Sequence, residues 1–297
     1  MKVLVTGAAG NAGQATCRAL AETGAEIRMA DVAPPPQDCL KLGEFVRSDM
    51  RTPDDAQQAA AGVDAVIHLG AWHCAHVPPV SDSTIFAVNV DGTFNLLQAC
   101  RKQNIQAVVY ASSMAFGWGG VYSVTKVIGE DLCRMYYEMT GASVAMLRYH
   151  DFVPKPYLAF GGMLLRNGVD RRDVASATVA ALQAAVEKRI GLFRTIVHTD
   201  HHLPEEVRAD FRGHGSDWCE TQVPGAAGLL TKYAIPLPER IEQHDMSEAR
   251  TQLGWVPKVG FVEFLHDLQG RDTRGEDAHA LWTPSDLSAT TRSGGEV

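Results

Sequence analysis

Short apolar runs alternate with longer mixed stretches through the first half of the chain. The runs lie at residues 2–6, 26–30, 45–50, 65–71, 106–111 and 143–148. They are rich in β-branched residues and have the length of buried strands, and the stretches between them are long enough for helices. This alternation predicts a Rossmann-type α/β fold, a doubly wound parallel sheet that binds ligands beyond the carboxyl ends of its strands.

A glycine-rich turn follows the first apolar run. It reads Gly7-Ala-Ala-Gly-Asn-Ala-Gly13 and leads into a stretch with helical character that ends at Thr23. Glycines in this position let the backbone turn tightly and approach a pyrophosphate, whose charge is met by the amides at the start of the helix. The turn therefore predicts a dinucleotide site, with contacts from Gly7, Gly10, Asn11, Ala12 and Gly13.

Acidic residues end the second and third predicted strands. Asp31 lies eighteen residues after Gly13, where a carboxylate can accept hydrogen bonds from ribose hydroxyls and repel a 2′-phosphate. NAD is therefore favoured over NADP. We expect Asp49 and Met50 to lie beside the adenine, and the small-residue turn Leu69-Gly70-Ala71 to let backbone approach the cofactor.

Tyr122 and Lys126 are four residues apart in a segment that predicts a helix over 122–139. Residues with this spacing share one helix face, so a phenol and an ammonium group can meet at one substrate atom. A neighbouring cation favours the phenolate and lowers the pKa of a tyrosine, which could then exchange a proton with an alcohol or carbonyl. The pair predicts a proton-transfer site.

Composition excludes several classes of protein. The 297 residues carry a net charge of −8 without a strong basic run, which argues against nucleic acid as a partner. No segment has the roughly 20 apolar residues of a membrane span, and the six cysteines have no paired spacing. We expect a cytoplasmic protein with reduced thiols and a small-molecule substrate, and no membrane partner.

Histidines form two groups that resemble metal sites only in residue type. One is His73 and His76, and the other is the run at 198–202. The first has no clear carboxylate partner or second cluster. The second is a run of adjacent loop histidines, which are usually solvated, so we predict no metal at either. Trp72 and His73, after the fourth strand, and His150 and Asp151, after the sixth, are weaker candidates for substrate contacts.

The ordered motifs resemble those of the extended short-chain dehydrogenase/reductase family, which contains NAD-dependent epimerases, dehydratases and dehydrogenases. The resemblance rests on the glycine turn, Asp31, Asp49, His68-Leu-Gly-Ala71, Asn89-Val-Asp-Gly-Thr93, Ser112-Ser113, Tyr122-Ser-Val-Thr-Lys126, the segment 169–175 and Leu253-Gly-Trp-Val-Pro257. It implies that Tyr122 is the acid/base, that Lys126 binds the nicotinamide ribose, and that Ser113, or alternatively Ser112, binds the reacting oxygen. Asn89 and Ser112 are further implied cofactor contacts.

Two departures from the family narrow the expected substrate. Only eight residues separate Ser113 from Tyr122, and the stretch from Arg148 to Val169 is short. Together they predict a pocket that is small or open. The second departure resembles compact sugar-acid enzymes such as uronate dehydrogenase, which favours a sugar acid over a nucleotide sugar. The expected activity is hydride transfer between NAD and a secondary alcohol or carbonyl of a sugar or sugar acid. A nucleotide-sugar epimerase that retains NAD and a non-catalytic NAD-sensing protein remain alternatives.

The predicted domain organisation has three parts. Residues 1–150 form the NAD-binding domain with the catalytic residues, 151–270 complete the sheet and form a small substrate-binding region, and 271–297 form a disordered tail. The resemblance also implies a homodimer through the helices at 82–103 and 122–140. The apolar residues expected in that interface are Phe86, Val90, Leu97, Met135 and Tyr136.

Overall fold

The structure is a computed structural model, and it describes residues 1–76, 78–166 and 168–283. The chain divides into two compact units. The first unit contains residues 1–149, 174–197 and 246–256, and the second contains residues 150–173, 198–245 and 257 onward. The first unit therefore takes in two later segments of the chain in addition to the predicted NAD-binding domain. The three-part division proposed from the sequence stays a prediction.

Seven parallel strands form the sheet of the first unit, in the order β3-β2-β1-β4-β5-β6-β8. The strands are β1 (Lys2–Thr6), β2 (Glu26–Asp31), β3 (Glu44–Arg47), β4 (Ala65–His68), β5 (Ala107–Ser113), β6 (Ser143–Tyr149) and β8 (Leu192–Val197). The chain order reverses between β1 and β4, which is the switch point where such sheets bind dinucleotides. The predicted doubly wound parallel sheet is confirmed.

Helices connect these strands. They are α1 (Asn11–Glu22), α2 (Gln37–Leu40), α3 (Pro53–Ala60), α4 (Asp82–Phe86), α5 (Gly92–Lys102), α6 (Gly120–Thr140) and α8 (Arg171–Val186), and a π-helical turn, Ala87–Asp91, joins α4 to α5. One core packs α3, α5 and α6 on the sheet through buried residues such as Leu96, Tyr136 and Val108. Since the strands are covered, they read as near-continuous apolar runs.

The second unit has its own core. Its elements are β7 (Lys155–Pro156), α7 (Tyr157–Leu164), α9 (Glu205–Ala209), α10 (Phe211–Gln222), α11 (Ala226–Lys232), α12 (Phe261–Thr273) and β9 (Trp282–Thr283), with β7 antiparallel to β9. Phe160 and Phe264 pack with Phe211 and Leu230 in this core. Gly161 permits the close approach of α7 to the Phe264 ring, because a Cβ at position 161 would lie 2.3 Å from that ring.

The predicted disordered tail differs from the structure at residues 271–283. Residues 271–273 complete α12, and a short 3-10 helix, Ala278–Ala280, precedes β9. Ala278 is buried in the core of the second unit, which is why this polar stretch is ordered. The rest of the predicted tail, 284–297, lies outside the described residues. Among the described helices, none is long and apolar enough to cross a membrane.

Candidate active site

The glycine turn connects β1 to α1 as the sequence predicts. Gly7 has a φ of +67°, and a Cβ there would lie 2.7 Å from the backbone of Gly70. A Cβ on Gly13 would lie 2.1 Å from the carbonyl oxygen of Gly7. The N-cap of α1 is Gly10, which has no side chain to cap the helix, and the first turn contains no acidic residue. The amides at this helix start suit a pyrophosphate.

Asp31 ends β2 beside this turn. Its Oδ2 accepts a hydrogen bond of 2.9 Å from the amide of Ala9, and its Oδ1 accepts one from Ala33. Burial raises the pKa of the Asp31 carboxyl, and the amide hydrogen bonds oppose this. The carboxylate therefore has a fixed orientation next to the phosphate-binding turn, which suits a ribose acceptor.

Asp49 and Met50, which the sequence places beside the adenine, both bind other groups of the protein. Asp49 pairs with Arg51 at 2.5 Å, and this hydrogen bond lowers the pKa of the Asp49 carboxyl. Met50 is buried, and its carbonyl accepts a hydrogen bond from Asn95. Asp49 and Met50 thus follow β3 as predicted, with Asp49 tied to a neighbouring guanidinium.

A continuous hydrogen-bond network joins β1 and β4 to the helix of Tyr122. The Gly70 amide donates to the Thr6 hydroxyl, which lies 2.6 Å from His68 Nδ1, and His68 Nε2 lies 2.9 Å from the Thr93 hydroxyl. Because the Thr93 hydroxyl donates to the Asn89 carbonyl, it must accept from His68. His68 is therefore neutral with its proton on Nε2. Burial lowers its pKa to about 3.

Asn89 carries the network to α6. Its Oδ1 accepts from the Trp72 amide, and its Nδ2 donates to the Trp72 carbonyl and to the Thr125 hydroxyl. The Thr125 hydroxyl in turn donates to the carbonyl of Tyr122. The side chain of Asn89 thus binds protein groups through both its oxygen and its nitrogen, and it fixes the loop after β4 relative to α6. The cofactor contact expected from Asn89 remains a prediction.

Tyr122, Lys126 and Ser113 come together. Ser113 is the last residue of β5, and its hydroxyl is close enough to Tyr122, in the first turn of α6, to lower the pKa of the phenol. The Lys126 ammonium lies 5.8 Å from the centroid of the Tyr122 ring and donates to the Ala111 carbonyl at 2.8 Å. Three groups that the sequence proposed for one site therefore lie at the carboxyl end of β5.

The electrostatics of this trio differ from the expectation. Burial raises the pKa of Tyr122 to about 12, although the hydrogen bond with Ser113 partly opposes this, and burial lowers the pKa of Lys126 to about 8. The predicted lowering of the tyrosine pKa by the lysine is therefore wrong. Desolvation disfavours the charged forms of both residues and is the largest contribution to each pKa shift. With a pKa of about 12, the Tyr122 phenol is neutral at pH 7.

Ser112 has a different environment from Ser113. Adjacent strand residues point to opposite faces, and the Ser112 hydroxyl donates to Glu130 at 2.5 Å. Glu130 also accepts two hydrogen bonds of 2.7 Å from Arg148. The bonds from Arg148 and Ser112 outweigh burial and lower the pKa of Glu130. Ser113, rather than Ser112, is thus the serine at Tyr122.

The loop after β4 brings His73 to Tyr122. The two ring centroids are 4.3 Å apart. The His73 Nδ1 accepts from the Ala75 amide at 3.0 Å, and Trp72 packs edge-on against His76 at 4.6 Å. Trp72 and His73 are therefore part of the surroundings of the site in the first unit.

His150 and Asp151 belong to the second unit. His150 contacts two further histidines, with ring centroids 5.6 Å from His198 and 5.0 Å from His244. Asp151 pairs with Lys155 at 2.6 Å. Burial lowers the pKa of His150 to about 3 and that of His198 to about 4. In the described ranges, no group of three or more His, Cys, Asp or Glu residues could hold a metal ion.

Sequence reasoning missed the residues that orient the trio. The strands are linked to α6 by Thr6, His68, Thr93 and Thr125. Glu130 in α6 accepts hydrogen bonds from Ser112 of β5 and Arg148 of β6. His68 lies within the quoted motif, but its spacing gave no sign of its partners, which come from distant parts of the chain.

Comparisons with known proteins identify the family. Residues 3–156 match the NAD dependent epimerase/dehydratase family. The chain belongs to this family, and the predicted membership and NAD cofactor are confirmed. The glycine turn, the uncapped start of α1 and Asp31 fit that cofactor.

Among curated proteins, the chain is 31% identical over 185 residues to 2-alkyl-3-oxoalkanoate reductase of Stenotrophomonas maltophilia (strain K279a), covering 61% of this chain and 49% of that protein. It is 30% identical over 171 residues to uronate dehydrogenase of Agrobacterium fabrum (strain C58 / ATCC 33970), covering 52% and 63%. The matches thus span about half to two thirds of these relatives.

Solved structures share the fold. A short-chain dehydrogenase/reductase superfamily protein from Agrobacterium tumefaciens with bound NAD has a TM-score of 0.68 at 21% identity, covering 92% of this chain and 98% of that one. UDP-glucuronic acid 4-epimerase from Bacillus cereus in complex with NAD has a TM-score of 0.64 at 20% identity, covering 93% and 100%.

Proposed function

We propose that this protein is an NAD-dependent oxidoreductase that interconverts a secondary alcohol and a carbonyl in a sugar or sugar acid. The observation that carries the proposal is the trio in the first unit: the Lys126 ammonium lies 5.8 Å from the centroid of the Tyr122 ring, and the Ser113 hydroxyl lowers the pKa of the same phenol. A phenol held in this way can exchange a proton with the oxygen of the reacting carbon.

The proposed reaction divides the work among these three residues. NAD supplies the hydride acceptor or donor when bound. In the reducing direction Tyr122, which is neutral in this structure, gives its proton to the carbonyl oxygen. The Ser113 hydroxyl holds that oxygen, and the Lys126 ammonium stabilises the phenolate that remains. In the oxidising direction Tyr122 must first lose its proton, so the rate should rise with pH.

The proposal of a sugar acid rests on chain layout and on a relative. The short stretch after β6 leaves little room for an inserted nucleotide-binding segment, and uronate dehydrogenases are among the proteins similar to this chain. A nucleotide-sugar epimerase that retains NAD is the second candidate, since the fold is shared with such enzymes. An NAD-sensing role without catalysis is less favoured because both Tyr122 and Lys126 are present.

One assay separates the three candidates. The purified protein is incubated with NAD⁺ and a panel of sugars and sugar acids, and the release of NADH and the stereochemistry of the sugar are followed. Release of one NADH per sugar oxidised supports the dehydrogenase. An inverted sugar with NAD retained by the protein supports the epimerase. Binding of NAD without either product supports the sensor.

Cofactor preference is tested at Asp31. Removing a charged acceptor of ribose hydroxyls costs about 1.5–3 kcal/mol, so Asp31→Ala should weaken NAD binding at least about tenfold. It should also reduce discrimination against NADP, because the charge that repels a 2′-phosphate is gone. Titration calorimetry with both cofactors measures this. A wild-type protein that binds NADP more tightly than NAD contradicts the role of Asp31.

We also propose a cytoplasmic homodimer that pairs α4, α5 and α6 with their copies. Leu97 and Tyr136, expected at the interface, are instead buried in the core of the first unit. The exposed apolar side chains on these helices are Phe86, Phe94, Val124, Val127 and Met139. Light scattering at micromolar concentration should give the dimer mass, and a monomer would remove the proposal.

A further inference from the structure

The loop that joins Ser113 to Tyr122 carries an unusually exposed aromatic side chain. Trp118 is 72% exposed, more than any other large apolar residue in the described ranges, and indole rings are mostly buried in folded proteins. A single exposed apolar residue needs no special explanation. Trp118 is informative because it lies four residues before Tyr122 in the chain.

Hydrogen bonds tie the base of this loop to the catalytic hydroxyls. The peptide of Ala115 is the centre of these contacts. Its N–H donates to the Ser113 hydroxyl at 3.1 Å, and its carbonyl accepts from the Ser123 hydroxyl at 2.6 Å and from the Trp118 amide at 3.2 Å. The backbone of Trp118 is therefore two hydrogen bonds away from the hydroxyl that contacts Tyr122.

A second anchor holds the loop from the other side. The guanidinium of Arg148 lies 4.4 Å from the centroid of the Phe116 ring, and Arg148 is itself fixed by Glu130. Phe116 is thus attached to the framework of β6 and α6, whereas Trp118, two residues later, has no such attachment among the ring contacts of the described residues.

Glycines surround the indole. Gly117, Gly119 and Gly120 all have φ near +80°, and no atom lies within 4 Å of a Cβ placed on any of them. The space at these positions is open, so their conformation is not imposed by packing against other parts of the protein. Backbone with φ > 0 and no side chains can change direction at low cost. The tip of the loop can therefore reorient about a fixed base.

We propose that Trp118 is a specificity-determining residue that packs its indole against the face of a ring-shaped sugar substrate. This rests on the proposed function, since it concerns the substrate of the same site. The C–H groups on one face of a pyranose carry partial positive charge and are apolar, and they complement the negative face of an indole. An acyclic polyol presents no such face. The loop base holds Ser113 in place while the tip contacts the ring.

The test compares substrate and cofactor binding in matched variants. Wild type, Trp118→Ala, Trp118→Tyr and the control Val186→Ala are assayed with NAD⁺ and D-glucuronate, D-galacturonate, D-glucose and acyclic D-glucitol. Val186 is exposed at the end of α8 and outside the site. Trp118→Ala should raise KM for the ring sugars about tenfold, the size of a lost apolar contact. It should leave kcat and the Kd for NAD⁺ within about twofold, and Trp118→Tyr should recover most of KM because it restores an aromatic face.

A direct binding measurement accompanies the kinetics. In a Tyr122→Phe background, where turnover is slow, the indole emission of the protein with NAD⁺ is titrated with each sugar. Ring sugars should change the emission and D-glucitol should not, and the change should vanish when Trp118→Phe is added.

The outcomes separate the two proposals. Turnover by wild type with an unchanged KM in Trp118→Ala, or a preference for D-glucitol, overturns the role of Trp118 and leaves the oxidoreductase intact. Absence of NADH from wild type defeats the proposed function, and the emission titration then still decides whether Trp118 meets a ring sugar. A fall in kcat together with weaker NAD⁺ binding in Trp118→Ala would show a merely structural loop residue and also overturn the inference.

Discussion

Buried histidines in the two units differ in how their ring nitrogens are used. His68 in the first unit has hydroxyl partners on both nitrogens, Thr6 and Thr93. In the second unit, His150 Nε2 and His198 Nδ1 are buried without a hydrogen-bond partner. A buried polar atom without a partner costs about 1–3 kcal/mol. His68 therefore fixes its neighbours in the first unit through both ring nitrogens, whereas His150 and His198 in the second unit each keep one ring nitrogen without a partner.

This difference explains why the proposed catalytic residues have defined orientations. A chain of hydrogen bonds runs from Gly70 through His68 and Asn89 to Tyr122. In each of these bonds the donor and the acceptor are fixed by the neighbouring bonds. Preorganised groups need little rearrangement during a reaction. The cost of this arrangement is desolvation, visible in the depressed pKa of Lys126 and the raised pKa of Tyr122.

The largest effect is expected for substitution of Lys126, which should lower the activity and raise the stability of the protein. Lys126→Met removes the cation beside the phenol, so turnover should fall by about 10²-fold or more and the pH–rate profile should move to higher pH. The pH dependence of kcat for the variant and the wild type measures both effects.

The same variant should be more stable than wild type at neutral pH. The Lys126 pKa of about 8 lies below its ordinary 10.5, which corresponds to roughly 3 kcal/mol of unfavourable charging in the fold. Loss of the hydrogen bond to the Ala111 carbonyl reduces this gain in stability by about 1 kcal/mol. Because the folded pKa is lowered, the advantage should shrink as pH rises from about 8 to 10.5. A variant less stable than wild type at pH 7 would contradict the desolvation account.

Substitution of the two neighbouring serines should have different effects, on turnover at Ser113 and on stability at Ser112. Ser113→Ala should lower kcat about 10–100-fold with little change in the pH profile, because this hydroxyl holds the reacting oxygen. Ser112→Ala removes a hydrogen bond to Glu130 and should cost about 1–2 kcal/mol of stability with activity close to wild type. Equal kinetic effects in the two variants would place the reacting oxygen elsewhere.

The last pair of variants concerns the histidines themselves. His68→Leu removes one hydrogen bond from each of the Thr6 and Thr93 hydroxyls and should destabilise the protein by roughly 2–4 kcal/mol. His150→Leu removes an already unpaired nitrogen and should be close to neutral. Denaturant unfolding of both variants at pH 7 checks this. Similar losses in both would mean that the pairing of ring nitrogens does not distinguish the units.

Acid tests the buried, neutral state of His68. The His68 pKa of about 3 lies below the ordinary 6.5, so the part of the stability that depends on a neutral His68 is lost as pH falls from about 6.5 towards 3. His68→Leu should remove that part of the pH dependence.

Much of the first unit was predictable because its signals are local. Strand length, the glycine turn and the four-residue spacing of Tyr122 and Lys126 all act within a few residues, and the structure places them as expected. These features need no knowledge of distant contacts. The choice of Ser113 over Ser112 does need it, because it depends on where Glu130 and Tyr122 lie, and it stays a prediction.

The remainder depends on contacts between distant residues. Three contacts join segments that are far apart in the chain: His68 with Thr93, Asn89 with Thr125, and Arg148 with Phe116. The spacing of these residues in the sequence does not predict the contacts. The pKa of Tyr122 was mispredicted for a related reason. The sequence shows a nearby lysine, but the burial that dominates the pKa emerges only when the strands and helices pack.

The most direct measurement of the central claim is turnover by Tyr122→Phe in parallel with NAD binding. The substitution keeps the ring and its contact with His73 and removes only the hydroxyl. We expect NAD to bind as in wild type and kcat to fall by about 10²–10⁴-fold, the usual effect of losing a general acid/base. Turnover near the wild-type rate would contradict the assignment of the proton-transfer step to Tyr122.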